Sequence, residues 1–189
     1  MWARALVTAC LAIGGFPLPA WAGGPVADVL VLPPELETRE SPSGTYVFEV
    51  KLRPAANVHA ARATATLSAR MASSRTQVLW TRELPHRPRP RFILVGDGGQ
   101  VVLLDEWLNV RSDLAVMLID RENRTLAQFD LEAVRAALAI PVAALSPVAR
   151  HGVWIQAPPR INPAGDSVEV ATANRVLSIR LSDGRLSVR

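Results

Sequence analysis

Apolar and polar residues alternate along much of the chain, with the two-residue period of a β-strand that has one face in water. In the stretch 63–70, the odd positions carry alanine or leucine and the even positions carry threonine, serine or arginine. Similar alternation occurs at 45–52, 77–84, 167–172 and 176–181. This pattern predicts half-exposed strands in the first and last thirds of the chain.

The middle of the chain is patterned differently. The segments FILV at 92–95, VVLL at 101–104 and LAVMLI at 114–119 are apolar at every position. A strand that is apolar on both sides is covered on both sides. We therefore expect a central sheet that lies between two outer sheets.

One short helix is predicted after these strands, in the sequence FDLEAVRAALAIP. Asp130 is suited to the N-cap, and Phe129 and Val134 have the spacing of a hydrophobic staple. Pro141 is expected to end the helix, because the residue before a proline resists helical geometry.

Turn segments of similar composition suggest an internal repeat. SPSGTYV, VGDGGQV and NPAGDSV align on Gly44, Gly98 and Gly165, and each precedes a strand. Three units result, spanning roughly 26–84, 91–138 and 150–189. Their strands are predicted at Val26–Leu32, Thr45–Leu52, Ala63–Arg70, Gln77–Leu84, Arg91–Val95, Gln100–Leu104, Leu114–Ile119, Thr125–Phe129, Gly152–Gln156, Ser167–Thr172, Val176–Leu181 and Arg185–Val188. The stretch PPELETRESPSG is interpreted as a break between the first two strands.

Two segments resemble the repeats of β-propellers. SPSGTYVFEV is similar to the SPDG opening of many blades, and VMLIDRENRTLAQFDL resembles a hairpin of quinoprotein-like or WD-type blades. Asn123 or Arg124 stands where the hairpin turn of those blades has glycine. The resemblance implies an all-β fold with one short helix, built of three stacked, four-stranded antiparallel blade-like units. It implies no catalytic residues, because propellers host many functions.

Three units are fewer than the four or more blades that close a propeller. They would form an open stack, or half of a six-bladed ring in a homodimer. A β-sandwich made of meanders is the alternative fold.

The first 22 residues have the features of a cleaved signal peptide. Arg4 precedes an apolar stretch, and the small-x-small sequence AWA ends before Gly23. Residues 23–189 would then form a single all-β domain that is periplasmic or secreted and does not span the membrane after processing. In the alternative, VTAC resembles a lipoprotein signal, and the chain would be lipid-anchored through Cys10. If the signal peptide is removed, the remaining chain has no cysteine, which excludes disulfides and thiol catalysis.

The chain has 21 basic and 17 acidic residues, and Lys51 is its single lysine. The arginines are spread along the sequence instead of forming the basic stripe typical of nucleic-acid binders, so no nucleic-acid partner is expected. HRPRPR is the exception, because alternating prolines favour an extended backbone that spaces Arg87, Arg89 and Arg91 regularly. These arginines, with Trp107, are candidates for binding an anionic ligand or an envelope protein. The alternative is a stiff connector between the first and second units.

The sequence GDGG at 96–99 lacks the lysine and the following helix of a phosphate-binding loop. Aspartate followed by glycine is instead a strong hairpin signal. We expect the turn to require a positive φ at Gly98, so that Gly98→Val would unfold the protein.

Asp105, Glu106 and Asp113 are the candidates for catalysis, since paired carboxylates can serve as general acid and base. Neighbouring strand residues point to opposite faces, which weakens a shared role for Asp105 and Glu106. The alternative is a solvated rim with ion pairs to Arg111 and Arg121. The three histidines are isolated, so neither a metal site nor a cofactor is expected. Trp80, Trp107 and Trp154 are predicted to pack in the core or between sheets.

Two functional hypotheses follow. The first is an exported, non-catalytic binding or assembly module of the bacterial envelope. The second is an envelope hydrolase that uses the acidic residues at the end of the central hairpin.

Overall fold

The computed structural model describes residues 32–53, 55, 60–71, 75–108, 113–141 and 154–189. All of them belong to one compact unit, Leu32–Arg189. Its elements are β1 (Leu36–Glu40), β2 (Tyr46–Arg53), β3 (Arg62–Arg70), β4 (Thr76–Glu83), β5 (Pro90–Val95), β6 (Val101–Glu106), β7 (Val116–Ile119), β8 (Thr125–Phe129), α1 (Leu131–Leu138), β9 (Arg160–Ile161), β10 (Ser167–Thr172), β11 (Arg175–Arg180) and β12 (Leu186–Val188). The predicted signal peptide, Cys10, His59, Arg111 and His151 lie outside the described residues.

The strands form three antiparallel four-stranded sheets, and in each sheet the strands follow one another in chain order. The first sheet contains β1–β4, the middle sheet β5–β8 and the third sheet β9–β12. The predicted fold class, three four-stranded antiparallel units with one short helix, is confirmed. Both the stack of blade-like units and the sandwich of meanders are compatible with this arrangement.

The middle sheet is covered on both faces, as the sequence pattern predicts. Every residue of β6 and β7 is buried. On one face, Val101 and Leu103 pack against Phe48 and other residues of the first sheet. On the opposite face, Val102 and Leu104 belong to the cluster formed with α1 and the third sheet. Alternate residues of one strand therefore enter two separate cores.

Two predicted strands, the first of the first unit and the first of the third unit, need correction or fall outside the described part. The first strand of the structure is β1, which lies inside PPELETRESPSG, the stretch predicted to be a break. The predicted strand Val26–Leu32 lies outside the described residues, except for Leu32, which is exposed. The third sheet begins with β9, whereas residues 154–156 of the predicted Gly152–Gln156 are not in a strand. β1 and β9 lack a buried apolar face of their own, since four of the five β1 residues are exposed. Backbone pairing alone identifies such strands, and hydrophobic periodicity does not detect them.

The repeated turns each contain one residue in the left-handed region. Gly44 and Gly165 have φ values of 73° and 72°, as their alignment suggests. In the GDGG turn, however, the left-handed residue is Gly99, with φ 80°, and not Gly98. The Gly99 N–H donates to the carbonyl of Gly96 at 2.9 Å, the same bond that closes the other two turns. The expectation for Gly98→Val is therefore wrong, because the strained position is one residue later.

The turn between β7 and β8 follows the same rule without glycine. Asn123 occupies the left-handed position with φ 68°, and its N–H donates to the carbonyl of Asp120 at 3.1 Å. Asparagine tolerates this conformation better than most residues. Asn123, and not Arg124, takes the place of the glycine that the blade hairpins contain.

The predicted N-cap of α1 is present, since Asp130 Oδ1 accepts the N–H of Ala133 at 2.7 Å. The buried residues Leu131, Val134 and Leu138 lie in the cluster formed with the third sheet. The helix ends before Pro141, at Ala139, whose φ of 50° reverses the chain direction. A left-handed residue after the last turn is the usual way for a helix to end.

Candidate functional site

The two sequence stretches that were singled out for function lie side by side. β5 pairs with β6 so that Pro90 is opposite Glu106, which places residues 86–91 next to 105–107. The backbone N–H of Trp107 donates to the carbonyl of Arg89 at 2.9 Å. We call this region the polar junction; it comprises Glu37, His86, Arg87, Arg89, Arg91, Asp105, Glu106 and Trp107.

Arg89 is the centre of the polar junction and is fully buried. Its guanidinium forms an ion pair with Glu37 and donates to the carbonyl of Pro34 at 3.3 Å. The same group lies over the ring of Trp107, 5.6 Å from the ring centre. Burial lowers the pKa of Arg89, and the neighbouring carboxylate of Glu37 opposes that shift. The expectation that HRPRPR forms a surface feature is therefore wrong for Arg89. In this conformation the Arg89 side chain is covered, and a ligand cannot reach it.

Asp105 is also fully buried, and its backbone adopts the left-handed region with φ 56°. Its Oδ1 accepts the N–H of Glu106 at 3.0 Å, and its Oδ2 has no hydrogen-bond partner in the described part of the chain. Burial raises the pKa of this carboxyl to about 7, although the Glu106 N–H and the charge of Arg91 act in the opposite direction. A buried, strained acid of this kind is the type of residue found at functional sites.

Glu106 is nearly as buried as Asp105, but it has a clear structural role. Its Oε1 accepts the backbone N–H of Arg87 at 2.9 Å and so attaches the connector after β4 to the end of β6. The proposed solvated rim is wrong, because both acids are buried and Arg121 pairs with Glu122 instead.

Asp113 does not join them. Its side chain is exposed, and among the described residues no hydrogen bond or ion pair connects it to Asp105 or Glu106.

His86 is buried with no partner for either ring nitrogen within the described residues. Burial, together with a smaller effect of the nearby charge of Arg82, lowers the pKa of this imidazole to about 3. His86 is therefore neutral at physiological pH. Buried polar groups without partners are rare in native proteins and call for an explanation.

The accessible part of the polar junction is basic and aromatic. Arg87 is exposed, and Arg91 and Trp107 are half-buried. Arg91 Nη2 donates to the backbone carbonyl of Trp107 at 2.8 Å, which holds the Arg91 side chain against the 105–107 segment. Of the four proposed binding residues, these three remain on the surface.

Glu37 is the residue of this site that sequence analysis missed. It lies 52 positions before Arg89 in a stretch interpreted as a break, and its side chain is 13% exposed. No local pattern identifies it, since its partner is determined by how β1 packs beside β5. Trp80 and Trp154 lie in the core, as predicted, whereas the same prediction is wrong for Trp107, which is half-buried at the polar junction.

Two surface depressions lie away from the polar junction. A cleft of about 430 Å³ at the turns of the middle sheet is lined by charged residues that pair with one another, including Asp120, Arg121, Glu122 and Arg124. A groove of about 320 Å³ follows the free edges of β1, β5 and β9 and is mostly apolar. Neither depression reaches Asp105.

In the described part of the chain, no three His, Cys, Asp or Glu side chains are grouped so that they could hold a metal ion. The same residues include no helix of sufficient length and apolarity to cross a membrane. The sequence matches no known protein-family model, and no curated protein is similar enough to count as a relative.

Proposed function

We propose that the protein is an exported, non-catalytic binding or assembly module of the bacterial envelope. The observation that supports this function best is the use of charges in the polar junction. Glu37 and Glu106 hold neighbouring groups in place, and the accessible side chains are the cations Arg87 and Arg91 beside an aromatic ring. This surface fits an anionic partner, since arginine recognises carboxylates and phosphates through paired hydrogen bonds.

Photo-crosslinking in cells tests the proposal directly. A photoreactive amino acid at position 87 should capture a partner, whereas the same group at Arg53 on β2, which is 70% exposed, should not. Binding of the identified partner to the purified protein should then weaken with Arg87→Glu by about tenfold or more, which corresponds to one or two lost charge-assisted hydrogen bonds. Equal affinity for Arg87→Glu and Arg53→Glu would exclude the junction as the binding surface.

Asp105 supports a second candidate, an envelope hydrolase, because an acid with a pKa near 7 is suited to proton transfer at neutral pH. In that case Asp105→Asn and Glu106→Gln should abolish a hydrolytic activity while the thermal midpoint changes little. Loss of stability without loss of any activity would leave the binding function as the better account. Asp113→Asn serves as the comparison, since Asp113 is exposed and not bonded to either acid in the described structure.

The homodimer remains a prediction, as does the resemblance to propeller blades. The outer face of the first sheet carries Thr66 hydrogen-bonded to Thr81, and that of the third sheet carries Glu169 between Arg160 and Arg189. The first sheet also exposes the apolar side chains of Leu36 and Val78. Light scattering of the purified protein would report its mass.

A further inference from the structure

The segment that begins with Asp105, at the end of β6, is bonded to two other parts of the chain. The Asp105 N–H donates to the carbonyl of Ala115 at 3.0 Å, and two residues later the N–H of Trp107 donates to the carbonyl of Arg89. These two bonds keep the 105–107 segment closed over the polar junction. Side-chain contacts add to them: Glu106 Oε1 accepts the N–H of Arg87, and Arg91 Nη2 donates to the carbonyl of Trp107. The segment nevertheless lies at the end of a strand, and strand ends open more easily than the centre of a sheet.

The closed form suits a neutral acid and not a carboxylate. Oδ2 of Asp105 is buried without a partner in the described chain, and an ionised oxygen in that position would lose its hydration without replacement. A left-handed backbone at a residue other than glycine adds strain of about 1 kcal/mol or more. Opening the segment relieves both costs, because it brings the carboxylate into water and frees the backbone.

Two charged groups act on Asp105, Arg91 from β5 and Glu106 from β6. Arg91 favours the ionised acid, and Glu106 disfavours it. Arg89 is already paired with Glu37. Burial outweighs Arg91, so the acid is protonated in the closed form below neutral pH.

We propose that ionisation of Asp105 opens the 105–107 segment, so that rising pH separates the Arg89–Trp107 pair. The cation and the ring separate when Trp107 loses its bond to Arg89. Trp107 then becomes available to a partner, while Arg89 stays paired with Glu37. This opening would regulate access to the polar junction. The opening itself does not depend on the proposed function, but its biological role does.

Amide hydrogen exchange measures this opening without any partner. Exchange rates of the Asp105 and Trp107 amides in the purified chain are divided by their intrinsic rates to give the opening constant. That constant should rise about tenfold per pH unit from roughly pH 5 to 7, and level off above 7, since the closed form retains the proton until about that pH. Amides in the middle of β6 and β7 report global unfolding and should not follow this slope.

Asp105→Asn should remove the slope and keep the segment closed, while the matched variant Asp113→Asn should keep it. A flat opening constant in the natural chain, or a slope that persists in Asp105→Asn, would overturn the proposal. If Asp105→Asn does not fold, a carbon-detected titration of the Asp105 carboxyl decides, and an ordinary pKa there also refutes the proposal. If the hydrogen-exchange results refute the opening, the crosslinking experiment at position 87 still tests the proposed function, so the two proposals can fail independently.

Discussion

Gly184 provides the sharpest test of how the third sheet packs on the middle sheet. It lies in the turn between β11 and β12, with φ 75°, and its N–H donates to the carbonyl of Arg180 at 2.8 Å. A Cβ at this position would overlap the Cβ of Ala127 in β8 and lie 3.5 Å from Leu118 Cδ2. Replacement by alanine thus adds two separate costs, backbone strain and a collision between sheets.

Gly165 separates these costs, because it has nearly the same φ, 72°, and no heavy atom within 4 Å of its would-be Cβ. Gly165→Ala should cost about 1 kcal/mol, from left-handed strain that the stiffer unfolded chain partly offsets. Gly184→Ala adds about 1–3 kcal/mol of overpacking. The total of about 2–4 kcal/mol should lower the thermal midpoint by roughly 5–15 °C in a chain of this size.

Urea denaturation of both variants gives the comparison, and a double mutant tests its cause. Ala127→Gly removes the methyl group that the new Cβ of Gly184→Ala would overlap. The double mutant should therefore be more stable, by about 1 kcal/mol or more, than the sum of the two single-mutant losses predicts. If Gly184→Ala is no more damaging than Gly165→Ala, or if the double mutant shows no coupling, the described packing of β8 against this turn is wrong.

Three further predictions concern local features. The pKa of His86 is lowered from 6.5 to about 3 in the folded protein, so the unfolded chain takes up the proton first as pH falls through this range. The free energy of unfolding of His86→Phe should therefore increase relative to that of the natural chain, by up to about 1.4 kcal/mol for each pH unit below pH 6.5. Urea denaturation at several pH values measures this, and a difference between the two proteins that does not change with pH would contradict it. Gly99→Ala should cost about 2–4 kcal/mol in the same assay, because Gly99 has a positive φ and its Cβ would lie 2.9 Å from Tyr46. Gly98→Ala should cost less than about 1 kcal/mol, because its φ is not positive and its Cβ would meet only the end of the flexible Gln100 side chain. Asp130→Ala should cost about 1 kcal/mol by loss of the N-cap of α1, and Asp130→Asn, which retains a side-chain acceptor, should unfold at nearly the natural urea concentration.

The opposite shifts at His86 and Asp105 also affect the protein as a whole. Asp105 keeps its proton in the folded state up to about pH 7, so its contribution to stability declines as pH rises from 3.8. His86 contributes in the reverse direction as pH falls from 6.5. Between these pH values the two groups oppose each other in global unfolding, whereas a local opening that involves Asp105 alone keeps the full pH dependence of Asp105.

The sequence by itself determined the features that depend on neighbouring residues. The order of half-exposed, buried and half-exposed sheets follows from whether each strand is apolar on one face or on both. The N-cap at Asp130 follows from contacts within one helical turn. Glycine in the repeated turns follows from the need for a positive φ, although the pattern placed one of them at Gly98 instead of Gly99. These interactions span a few positions, so a linear pattern contains them.

The tertiary structure alone decided which polar groups are buried. HRPRPR has the composition of a surface segment, yet Arg89 is covered because Glu37, 52 residues earlier, neutralises it and Trp107 lies against it. Asp105 is buried because β6 ends beneath the connector that Glu106 holds. A charge enters the interior only when a specific partner compensates for its lost hydration, and that partner comes from sheet packing between distant segments.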